Sequence, residues 1–218
     1  MIFHGSRTAL LLTFAATVAL AEAPLPALRV EPSTGASILY VRNSATAPLT
    51  AFLVELVHYP GSYYQLWEDD ITSQPIAPGA EKKIPISNMT VGAVPNYVKL
   101  TAALYADGTT SGVAEKVTQL VERRRSTLET TRELIGRLEK ARAAGASATS
   151  AAADLKQWAD TLPALTKSTQ NNQTAINQSA AKTLIMDIAT QLETHSIEDA
   201  IAALHAAETA FAASKPAV

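Results

Sequence analysis

The sequence predicts an α+β protein in two parts: an antiparallel β-sandwich over residues 26–112, followed by an α-helical region of three to four helices over residues 113–215. Two observations predict it. The first is compositional. Of twelve Phe, Trp and Tyr residues, only Trp158 and Phe211 lie beyond Gly112, and of eleven prolines only Pro163 and Pro216 do. The second is the period of the apolar residues. It is two before Gly112, as in half-buried strands, and three to four after it, as in amphipathic helices.

The first 21 residues read as an export leader. Arg7 makes a positive start, Thr8 to Val18 is apolar, and Ala19-Leu20-Ala21 is a small-x-small cleavage site. The apolar run falls short of the ~20 residues that a membrane span needs, so cleavage before Glu22 is expected, with no transmembrane segment in the mature chain.

Strand patterns follow. They are Leu28–Val30, Ser37–Arg42, Leu49–Tyr59, Tyr63–Trp67, Lys83–Ile86 and Tyr97–Tyr105. In the third, Phe52, Val54 and Leu56 share a face opposite Glu55. In the last, Val98, Leu100, Ala102 and Leu104 are expected on one face and Lys99 and Thr101 on the other. Turns at Asn43-Ser44, Pro60-Gly61, Pro75 to Gly79 and Asp107-Gly108 separate them. Short strands at this spacing, with no helical run among them, resemble an immunoglobulin-like sandwich, although the Cys…Trp…Cys pattern of true immunoglobulin domains is absent.

The helical half opens with Ala114–Arg142, where Val117, Leu120, Val121, Leu128, Ile135 and Leu138 recur at helical steps and Gly145 marks the stop. A second helix is expected over Ala151–Leu162, ended by Pro163, and a third over about Thr174–Thr194. Ser196 followed by Glu198 and Asp199 reads as the start of the last helix. Many core-facing positions are Ala, so each buries little area. The helices are expected to lean on the sandwich, or to associate with a second copy or a partner.

There is no cysteine, which excludes disulfides, thiolate metal sites and thiol catalysis. Abundant Ala and absent Cys point to a bacterial envelope protein, periplasmic or secreted. The formal net charge is −2 but uneven: residues 116–142 carry eight Lys/Arg against four Asp/Glu, while both flanking regions are acidic. Nucleic acid is not an expected partner.

Four constellations bear on chemistry. Tyr59, Tyr63, Tyr64 and Trp67 form an aromatic segment suited to gripping a partner, or else pack as ordinary strand and core aromatics. Arg123, Arg124 and Arg125 fan around one helical turn, with Arg124 near the apolar stripe. They contact an anionic partner, or they pair with acidic residues, Arg124 with one on another helix. Glu68-Asp69-Asp70, with Asp107, reads as a solvated acidic turn rather than a Ca²⁺ loop, because the D-x-[DN]-x-[DN]-G spacing is missing. His58, His195 and His205 lack zinc-site spacing, and no G-x-S-x-G elbow is present. No cofactor, metal or catalytic residue is therefore expected. The leading expectation is a non-enzymatic binding module acting on an envelope protein or component, with the helices positioning it or forming a homo-oligomer. A structural spacer is the alternative, and a hydrolase without a recognisable motif the third.

Overall fold

Alternating strands come first along the chain and helices last, in the order the composition implies. The computed structural model describes residues 23–33, 36–56, 64–86, 98–166, 169 and 172–218. The expected leader over residues 1–21 lies outside the described residues, as do Tyr59, Tyr63 and the side chain of Tyr64. The strands are β1 (Ala27–Ser33), β2 (Ala36–Arg42), β3 (Leu49–Leu56), β4 (Tyr64–Asp69), β5 (Glu81–Ile86), β6 (Val98–Tyr105) and β7 (Thr110–Gly112). The helices are α1 (Ala114–Ala143), α2 (Ala148–Thr161), α3 (Gln173–Gln191) and α4 (Ile197–Ala212). β7 is too short to carry a pattern, and only the Asp107-Gly108 turn announces it.

Two antiparallel sheets form, ordered β1-β2-β5 and β4-β3-β6-β7. One core lies between them. Leu39 and Val41 of β2 and Ile84 and Ile86 of β5 face Leu49, Phe52 and Val54 of β3 and Ala103 and Tyr105 of β6. The four-stranded sheet is covered on its other face too. There Ala51, Leu53, Ala102 and Leu104 pack on Leu120 of α1, flanked by Val117, Val121 and Trp67. Burial on both faces explains why β3 reads as an almost unbroken apolar run.

The expected single face of β6 is corrected. Leu100 packs toward the first sheet, while Ala102 and Leu104 face α1. The pairing with β3 slips there: Val54 opposes Leu100 and Leu53 opposes Ala102, leaving Thr101 as an extra residue. A β-bulge of this kind reverses the alternation beyond it. A second slip, at Thr50 in β3, does the same between Leu49 and Ala51.

β7 hands over to α1 through Val113 alone. Gly112 has φ +103, and a Cβ built there would sit 2.2 Å from the Thr101 carbonyl oxygen. That same oxygen accepts a hydrogen bond from Val113 N–H at 2.8 Å. Only glycine fits a backbone conformation and an approach of this kind.

α1 is 30 residues long, about 45 Å at 1.5 Å per residue. Its first half lies on the sheet. Its second half, through Leu134, Ile135 and Leu138, joins a core with Leu155 of α2, Ile185 and Ile188 of α3 and Ile201 and Leu204 of α4. Ala151, Ala152, Ala159, Ala189 and Ala200 belong to that core, so the alanine-rich packing is as expected. Ser147, Asn172 and Ser196 cap the starts of α2, α3 and α4, and Ser196 with Asp199 completes a reciprocal capping box. Gly145, at φ +68, follows the end of α1. Among the described residues no helix is long and apolar enough to cross a membrane.

Candidate functional site

The three consecutive arginines of α1 go three ways, as helical geometry requires. Arg125 is exposed. Arg124 is only 1% exposed. Its Nε and Nη2 donate to the two carboxylate oxygens of Asp69 at 2.8 and 2.9 Å, a bidentate fork. Nη2 also donates to Thr50 Oγ1 at 3.2 Å, and Nη1 to the Lys215 carbonyl at 3.2 Å. The bulge at Thr50 serves this junction: its hydroxyl donates in turn to the Leu104 carbonyl at 3.0 Å. Arg124 thus ties β3, β4, α1 and the chain's C-terminal segment together. Its acidic partner sits on a strand, not on another helix.

The acidic trio is likewise corrected. Asp69 serves Arg124, while Glu68 and Asp70 hold Lys82 of β5 at 2.8 and 2.6 Å. Burial alone would pull the Lys82 ammonium down. Hydrogen bonds to Asp70 and Glu68 outweigh it, and its pKa ends above the ordinary lysine value. Asp107 is occupied within its own turn, accepting from the Thr109 N–H at 2.9 Å and hydroxyl at 2.7 Å. Glu68, Asp69 and Asp70 are structural ties, whereas Asp107 stays in an exposed turn. Among the described residues no group of three or more His, Asp or Glu side chains is gathered for a metal ion.

Arg123 differs from its neighbour. Its guanidinium lies over the indole of Trp67, 5.1 Å from the ring centre. Burial draws its pKa below the ordinary arginine value, against the attraction of Asp69. Trp67 is half-buried, packed against the sheet–helix core rather than between the sheets. Together these two side chains form one wall of an open cleft of about 460 Å³, where β4 and α1 meet α3 and α4. Leu184, Ile188, Leu204 and Phe211 give it an apolar floor, and Asp69 of β4 and Asp187 and Gln191 of α3 add polar lining.

Trp67 of the aromatic segment and Arg123 of the arginine cluster, read separately from the sequence, therefore line one cleft. Arg124 braces that site from behind. Tyr59 and Tyr63 fall outside the described residues, and Tyr64 is placed only by its backbone, paired with Leu56. Sequence reasoning missed Asp187, Gln191 and Phe211 as cleft residues. Phe211 was legible as one of the two aromatics beyond Gly112. The polar flank of α3 carried no signal, because its neighbours across the cleft come from distant segments.

A second hollow, about 690 Å³, opens at the far end of the bundle between α1 and α2 and is lined by Glu133, Arg137, Lys140 and Asp154. Two of its charges are matched locally: Arg137 pairs with Glu133 at 2.8 Å and stacks on Trp158.

No known family model matches the chain, and no characterised protein or solved structure is detectably similar to it.

Proposed function

We propose that the protein is an exported, non-enzymatic binding module of the bacterial envelope, and that the cleft between β4, α1, α3 and α4 is its ligand seat. One observation carries this reading. The cleft joins an apolar floor to a few converging polar groups at the border between two packed layers, where small-molecule sites form. Export rests on the leader-like first 21 residues. We further read the β half, residues 26–112, as an immunoglobulin-like unit. Labelled A to G with β4 as C′, the strands group as A-B-E and C′-C-F-G, a split of the immunoglobulin kind. Residues 113–215 then form the helical unit that closes the cleft.

The reading is tested with Ala207→Trp. Ala207 lines the cleft from α4, and an indole there fills the space. Peptide and small-molecule fractions of an envelope extract are screened for a rise in melting temperature. At least one fraction is expected to stabilise the wild type and leave the variant unchanged. Fractions that stabilise both equally, or none that stabilises the wild type, overturn the reading.

A further inference from the structure

We infer that the cleft takes a short apolar peptide with both ends free, its carboxylate held by Arg123 and its ammonium by Asp187. The inference rests on the proposed role of the cleft and names its ligand class.

Arg123 carries five N–H donors in a planar fork. Among the described residues none of these donors meets an acceptor; the guanidinium has the face of Trp67 and the field of Asp69. Asp69 lines the same cleft and attracts Arg123, but most of its acceptor capacity is already taken. One of its oxygens accepts from Arg124 Nε, the other from Arg124 Nη2 and the Ile71 N–H. A half-buried cation with unused donors beside a cleft is suited to a planar anion, and a carboxylate matches the fork two bonds to two. Stacking on Trp67 fixes the plane in which that pair forms.

Asp187 decides between kinds of anion. It lines the same cleft from α3, is exposed, and has no cation or donor among the described residues. A bare phosphate would use Arg123 but leave the apolar floor unfilled. A fatty acid would fill the floor but leave the Asp187 carboxylate without a cation. A simple cation would meet Arg123. A zwitterion with an apolar body satisfies all three features: the unused cation, the unused carboxylate, and the floor of Leu184, Ile188, Leu204 and Phe211. The volume, about 460 Å³, lies within the range of small-ligand sites and admits a few residues, not a folded partner.

The test is calorimetric titration of the mature chain with tri-leucine in four forms: both ends free, N-acetylated, C-amidated and doubly capped. Tri-leucine with free ends is expected to bind. Amidation weakens binding to the wild type by about 10- to 100-fold, as loss of a charge-assisted hydrogen-bonded pair does, and has little further effect on Arg123→Gln. Acetylation behaves the same way toward Asp187→Asn. The four peptides on the wild type alone already decide, so a poorly folded variant does not blunt the result. Equal binding of all four forms overturns the inference. Failure of tri-leucine to bind also overturns it. The envelope screen then separates two cases: a ligand that stabilises the wild type but not Ala207→Trp leaves the cleft standing with another ligand class, and no such ligand removes both.

Discussion

Arg124 shows how far one residue could be read from the text. Its place near the apolar stripe of α1 was legible from spacing alone, and such a position demands a partner. The partner's identity was not legible, because Asp69 lies 55 residues earlier and only the packing of sheet on helix brings the two together. The pair is unequal. The Arg124 side chain is fully buried, whereas that of Asp69 keeps 27% of its surface exposed. Asp69→Ala strands a buried cation and should cost about 3–5 kcal/mol. Arg124→Met strands a carboxylate that water can reach and should cost less, roughly 1–3 kcal/mol. Urea denaturation of both variants checks the order; a more damaging Arg124→Met would show that the arginine's packing, not its charge, is what matters.

At the scale of elements, the existence and type of nearly every strand and helix followed from period and turn chemistry, while the facing of β6 did not. The two bulges, at Thr50 and Thr101, have no signature in a period-two pattern, since threonine is ordinary in strands. The bulge at Thr101 is packed by Gly112, whose backbone fits under the Thr101 carbonyl. Two glycine substitutions separate conformation from collision. Gly79, at φ +75, has nothing within 4 Å of a built Cβ, so Gly79→Ala should cost only the conformational penalty, about 1–2 kcal/mol. Gly112→Ala adds a collision with backbone that cannot swing aside, and should cost clearly more, about 3 kcal/mol or greater. Equal losses in guanidinium unfolding would mean that the joint relaxes freely.

For the whole molecule, the two-part plan was legible and the cleft was not. The plan shows in composition because strands and helices favour different residues. The cleft is assembled from β4, α1, α3 and α4, so no local stretch of sequence records it. α1 belongs to two cores at once, and this predicts coupled unfolding. The chain has two tryptophans, and in Trp158→Phe only Trp67 remains to report on the sheet side. Its fluorescence transition should coincide with loss of helical circular dichroism, and Leu120→Ala should lower both midpoints together. Separate midpoints would show that the halves melt independently. The single-residue passage from β7 to α1 also limits what evolution or engineering can do with this architecture. An α-helix turns about 100° with each residue. Adding one amino acid beside Val113 would therefore rotate the whole rod, swinging Leu120 off the sheet and Arg124 away from Asp69 at a stroke. Length changes should be tolerated in the connections between the later helices, and purged at this one hinge point.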